Sequence, residues 1–249
     1  MKLPQIAGTV QRRLLVNYRV DPDVITALLP APFRPQLVNG YAVAGICLIR
    51  LGSMRPAGLP SWLGLTSENA AHRIAVEWDT PDGPQTGVYI PRRDSNSLVG
   101  VAVGGRLYPG ALHLARFEVA ESEHDLHVAF AARDGSAAVT LDVRITEELT
   151  GSRLFPDTAA ASAFFEQGSI GFSATEDPGR FDGLGLHTTA WKVEPGIAVR
   201  AESSFFTDRT LVPEGSAELD CVLVMRQIPV RWQPLAPLRV PERPDAVSA

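Results

Sequence analysis

Along most of the chain apolar and polar residues alternate in short runs, and patterning with a period near two marks β-strands. The run TVQRRLLVNYRV, residues 9–20, mixes β-branched, aromatic and long polar side chains and is expected to be the first strand. Asp21-Pro22 then supplies an N-cap and a proline at the first helical position, so a short helix through VITALL should follow and cover one end of a sheet. Asn39-Gly40 separates PQLV from YAVAGICLIR and signals a tight hairpin. ENAAHRIAVEW, PQTGVYI, LARFEVAE, LHVAFAAR and AVTLDVRITEE predict further strands, the last three as a meander. TAAASAFFEQ, residues 158–167, is rich in good helix formers and is the clearest helix. TTAWKVEP, IAVRAESSFF and AELDCVLVMRQIPVRW complete the strands.

Between these runs, residues 51–66 carry glycine, proline and isolated large apolar side chains, the composition of an ordered loop that borders a site. No repeat of solenoid or propeller period occurs. About ten strands against two or three short helices predict a mainly β fold, with antiparallel strands curled into a cone-like barrel around a cavity. Residues 1–233 are expected to form this single domain, and the proline-rich residues 234–249 an extended or disordered tail.

Composition narrows the function classes. The chain has 249 residues, 45% hydrophobic and 20% charged, which suits a soluble protein. No apolar run reaches the roughly 18 residues of a membrane span, and the N-terminus carries no export pattern, so a cytoplasmic location is expected. A net charge of −5 without a basic run excludes an electrostatic footprint for nucleic acid. Cys47 and Cys221 lie in apolar strand-like runs and are expected to be buried thiols, not a disulfide or a metal site. The only lysines are Lys2 and Lys192. No GxSxG, HExxH, CxxC or calcium-loop pattern occurs, and no cofactor or metal is expected.

Candidate chemistry concentrates in AVGGRLYPGALHLARFEV, residues 102–119. Its glycines lack the GxGxxG spacing of a phosphate cradle and favour a tight turn. Arg106, Tyr108 and His113 nevertheless fall within eight residues at a strand entry, where site residues gather. On the strand ENAAHRIAVEW, Arg73 and Glu77 share one face and His72 and Trp78 the other. Arg73 and Glu77 are a charged pair on a cavity wall if that face points inward, and ordinary surface charges if it points out. Arg12-Arg13 and Arg92-Arg93 are pairs suited to holding a carboxylate or enolate, with surface solvation as the competing role. His124, His127 and His187 are expected to be solvated or structural.

The run NYRVDPDVITALLPAPFRPQLVNGYAVAGICLIRL resembles the opening of the acetoacetate-decarboxylase-like superfamily, and the likeness continues through AVGGRLYPGALHLA, FFEQGSIGFS and ESSFFTDRTLVPEGSAELDCVLVMRQIPVRWQPL. Within that superfamily the chain is most similar to the bacterial branch known only as a conserved domain of unknown function. The resemblance implies a cone-like β fold with an internal cavity and a homo-oligomer. The decarboxylases use a lysine that forms a Schiff base with a β-keto acid. The matching region here, near Leu112-His113, has none. Schiff-base decarboxylation is therefore disfavoured, and the family's carboxylate-binding arginine maps to Arg12 or Arg13.

These readings lead to an enzyme of lyase, hydratase, isomerase or cyclase type that handles a small carbonyl- or carboxylate-bearing metabolite without a lysine. His113 would be the general acid/base, helped by Arg106, Tyr108 and Glu77, with Arg12, Arg13 and Arg73 binding substrate. The rivals are a non-catalytic protein holding a ligand in the same cavity and a structural subunit with a filled barrel.

Overall fold

The computed structural model describes residues 5–98 and 110–240. β1 (Ile6–Val20) leads into α1 (Pro22–Leu28), where the Asp21 carboxylate accepts from the Asp23 N–H and proline occupies the first turn. The two-residue strands β2 (Arg34–Pro35) and β3 (Leu37–Val38) precede the Asn39-Gly40 turn, both residues having positive φ. β4 (Tyr41–Pro56), β5 (Leu65–Thr80) and β6 (Gly83–Ser95) follow. The meander is β7 (Leu112–Glu121), β8 (Asp125–Ala132) and β9 (Ala138–Ile145). Then come α2 (Thr158–Gln167), β10 (Ile170–Ala174), β11 (Arg180–His187), β12 (Glu194–Ser203), the short α3 (Ser204–Thr207), β13 (Ala217–Pro234) and β14 (Leu238–Arg239).

The protein is mostly β, and its one sheet curls until its pairings return on themselves. One circuit runs β1–β4–β5–β6–β7–β8–β9–β12–β13 and back to β1. A second uses the same β13–β1–β4–β5–β6 span but closes through β10 and β11. Most pairs are antiparallel; the exceptions are β6 with β7 and β6 with β10.

Because the shared strands have protein on both faces, they are apolar almost without interruption, as in Tyr41–Leu48. Their alternating side chains feed two cores. Leu14, Val16, Ile46, Leu48 and Ile74 meet the meander residues Val128, Phe130 and Leu141. Leu15, Cys47, Leu223 and Met225 meet Ala161 and Phe165 of α2.

The sequence expectations differ from the structure in four places. The loop expected over 51–66 is shorter, because β4 runs to Pro56 with Ser53 at φ 52 and β5 begins at Leu65. Residues 188–193, expected in a strand, have no regular structure, and Trp191 instead donates to the Ser162 hydroxyl at 3.0 Å. β10 and β11 carry no clear strand signal because glycine occupies positions 171, 183 and 185. A Cβ on Gly183 would sit 2.5 Å from the Phe172 ring, so that glycine lets the aromatic side chain lie flat on the neighbouring strand. Finally, the proline-rich end contributes β14, which pairs with β11.

Candidate functional site

The register of β1, β4, β5 and β6 decides which polar side chains meet. Arg13 on β1 stands opposite Ile49, Cys47 on β4 stands between Leu15 and Ala71, and Arg73 on β5 stands opposite Gly45. Ala71 in turn faces Arg93 on β6. All of these point to the face covered by α2, and Arg13, Cys47, Ala71 and Arg93, though not Arg73, line a cavity of about 150 Å³ there. Arg13, Cys47, Asn69, Arg93, Asp94 and Ser169 are its polar lining, among apolar walls from Ile49, Ile90, Leu184 and Trp232. It has room for a small molecule rather than a large ligand. A groove of about 990 Å³ shares Ser169 and Leu186 with the cavity.

The electrostatics of this face are one-sided. Arg13 donates from Nε to the Cys47 sulfur at 3.2 Å and from Nη1 to the Met225 sulfur at 3.9 Å. Arg73, 4% exposed, donates to Asn17 Oδ1, lies 4.6 Å from the Phe165 ring centroid and leaves Nε without a partner. Neither guanidinium has a carboxylate partner among the described residues. Burial pushes the Arg73 pKa down to about 10, the nearby Cys47 partly offsets this, and Arg13 adds to it. The group stays cationic at neutral pH. Arg93 donates to Ser173 Oγ.

The residues singled out from the sequence divide between this cavity and other places. Arg12 points away from Arg13 into a buried network, bonded to Glu68 and Glu121, with Arg50 bridging the same two carboxylates. Glu77 is half-buried on the far part of β5 and bonds Arg34 at 2.7 Å, so it does not pair with Arg73. His113 faces opposite to Leu112, which lines the cavity, and its Nδ1 lies 3.4 Å from Asp134. Asp94 borders the cavity, but its carboxylate is held by Arg92 at 2.9 and 2.8 Å. Lys192 is exposed. Arg106, Tyr108 and Lys2 lie outside the described residues. Asn69, Asn17 and Ser173 carried no sequence signal, and Cys47 appeared only as a buried thiol.

His72, on the face opposite Arg73, has neither ring nitrogen bonded and packs 5.2 Å from Phe205. Burial, with Arg92 adding to it, lowers its pKa to about 4. His127 is bonded to Asp142 at 2.7 Å. No helix is long and apolar enough to cross a membrane, and no cluster of metal-ligating side chains occurs among the described residues.

Comparison with known proteins identifies the fold. An acetoacetate decarboxylase-like enzyme from Sphingomonas wittichii RW1 superposes with a TM-score of 0.60 at 14% identity, over 96% of this chain and 93% of that one. An acetoacetate decarboxylase from Legionella pneumophila superposes with a TM-score of 0.59 at 15% identity, over 95% and 88%. The enduracididine biosynthesis enzyme MppR, complexed with pyruvate, gives 0.58 at 12%, over 93% and 89%. At these identities the likeness establishes the fold. No curated protein matches the chain. Residues 8–228 match DUF2071, an uncharacterized conserved protein family, and the chain therefore belongs to that family, built on the acetoacetate decarboxylase-like fold.

Proposed function

We propose that the protein is a lysine-independent enzyme that binds a small carboxylate- or carbonyl-bearing metabolite in the inner cavity and promotes proton transfer next to its carbonyl. One observation carries this reading: Arg13, which lines the cavity, has no carboxylate partner among the described residues, and neither does the buried Arg73 on the same face of the sheet. Arg13 is a half-buried cation without a counter-ion among the described residues, and an anionic ligand there gains a charge-assisted hydrogen bond. An enolate carries more charge on oxygen than its parent ketone, so the same guanidinium favours the enolate over the ground state. The exposed Lys192 has no part in this.

The second reading, a protein that holds such a ligand without turnover, is favoured by the cavity lining, where the described residues include neither lysine nor histidine. The test is to incubate the protein with pyruvate and acetoacetate in deuterated buffer, follow exchange of the protons next to the carbonyl by NMR, and measure thermal stabilisation in parallel. The enzyme reading expects stabilisation and exchange, both lost in Arg13→Met. Stabilisation without exchange supports the holding protein, and neither effect overturns both readings.

A further inference from the structure

Charge and apolar surface are segregated by strand around the inner cavity. The second circuit is a ring made of β13, β1, β4, β5, β6, β10 and β11, so β1 stands across it from β6 and β10. β1 contributes Arg13, the lining cation that has no carboxylate partner among the described residues. From β10 and β11 come only Gly171, Leu184 and Leu186, and the adjoining stretch of β6 adds Val88 and Ile90. The other two charged lining residues, Arg93 and Asp94, lie at the C-terminal end of β6 and are engaged within the fold. Arg93 donates to Ser173 Oγ, and both Asp94 oxygens accept from Arg92.

Gly171 keeps the apolar wall thin. Its φ is not positive, so the backbone does not demand glycine there. Space does, because a Cβ would lie 3.0 Å from Ile90 Cδ1 and 3.4 Å from Val88 Cγ2, and a side chain would crowd the two wall residues that it faces. An apolar-walled cavity of about 150 Å³ accepts a molecule of benzene's size.

We propose that the cavity takes a short-chain aliphatic monocarboxylic acid, such as an α-keto acid, with its carboxylate at Arg13 and its tail of about three carbons against Val88, Ile90 and Gly171. Gly171 sets the tail length that fits. The proposal rests on the carboxylate-binding reading above and adds which acid is preferred. Each methylene moved from water onto that wall strengthens binding about fourfold. A second carboxylate at the tail end would instead lose its hydration against apolar side chains, on the strand that carries Asp94.

The probes are pyruvate, α-ketobutyrate, α-ketovalerate, α-ketooctanoate and α-ketoglutarate, titrated calorimetrically into the full chain. Affinity should rise about fourfold per methylene from pyruvate to α-ketovalerate and fall at α-ketooctanoate, which outgrows the cavity. α-Ketoglutarate, of the same chain length as α-ketovalerate, should bind more weakly than it. Gly171→Ala should weaken α-ketovalerate about tenfold while pyruvate is retained. Ile90→Ala, which adds space at the same wall, should move the preference toward longer tails, and it decides the matter if the Gly171 variant does not fold. Pyruvate bound as tightly as α-ketovalerate, α-ketoglutarate bound more tightly than either, or a wild-type order of preference kept in Ile90→Ala overturns the tail assignment and leaves the carboxylate reading standing. Binding of none of these acids to wild type overturns both.

Discussion

Arg12 and Arg13 are neighbours on β1, yet strand alternation sends them into two different electrostatic worlds. On one face, Arg12 and Arg50 share Glu68 and Glu121, so two cations meet two carboxylates. On the other, Arg13 and Arg73 meet sulfur, an amide oxygen and an aromatic ring. The first arrangement is closed, since every charge has its opposite within the fold. The second is open, since neither guanidinium meets a carboxylate among the described residues. His72 sharpens the contrast. It is buried with neither ring nitrogen bonded, but a histidine escapes the cost by staying neutral, whereas an arginine cannot.

The largest effect should come from breaking the closed side. Glu68→Gln removes the carboxylate shared by Arg12 and Arg50 and leaves Arg12, only 2% exposed, without its inner partner. Breaking a buried pair from one end costs about 3–5 kcal/mol. Urea unfolding should show that loss with an unchanged slope. A change well below 1 kcal/mol would mean that Glu121 alone neutralises both arginines.

His72 predicts a pH dependence on the same face. Its pKa is about 4 in the folded protein against an ordinary 6.5, so the unfolded chain binds the extra proton first. Its contribution is complete above 6.5 and is lost as pH falls from there toward 4. The difference of 2.5 units corresponds to about 3 kcal/mol at most, and other groups titrate in the same window. In His72→Leu that part of the slope should be absent between pH 6.5 and 4 in denaturant unfolding, while the remaining acid sensitivity persists. An unaltered slope would place the titration elsewhere.

The open side should behave in the opposite way to Glu68. Arg13→Met removes a charge that has no carboxylate partner among the described residues and leaves an apolar side chain of similar length, so ligand-free stability should change by less than about 1 kcal/mol. The response to ligand should disappear. At a concentration about 100 times its dissociation constant, a ligand adds roughly 2.7 kcal/mol to wild type. Thermal shift with pyruvate reads both quantities in one experiment. Marked destabilisation of the ligand-free variant would show that Arg13 is structural after all.

The closed and open faces were unequally legible from the sequence. Strand alternation fixes that Arg12 and Arg13 part company, and that Arg73 and Glu77 share a face, without any coordinates. It does not say which face is enclosed, because that depends on strands far away in the chain: β7 to β9 cover one side, β10 and β11 close the other. β10 and β11 are also the strands whose glycines hid them. Arg73 and Glu77 are separated because Arg73 turns to Asn17 of β1 while Glu77, further along β5, meets Arg34 of β2. The expectation at residues 102–113 rested on a cluster of chemical residue types. Of these, His113 points to Asp134, while Leu112 meets the cavity. Cys47 was readable only as an apolar-run thiol, since its contact with Arg13 depends on the pairing of β1 with β4.

The smallest effects belong to residues assigned to neither face of the comparison. Glu77 bonds an exposed Arg34 that already holds Asp79 through two nitrogens at 2.8 and 2.9 Å. Removing one member of an exposed ion pair changes stability little, so Glu77→Gln should unfold at the wild-type midpoint and keep the full ligand response. His113→Ala loses a partly exposed contact to Asp134 at 3.4 Å, and it too should still be stabilised by pyruvate. Thermal shift with and without pyruvate checks both variants beside Arg13→Met. If His113→Ala lost the response while Arg13→Met kept it, the ligand would sit on the meander side of the sheet. The closed and open faces would then have to exchange roles.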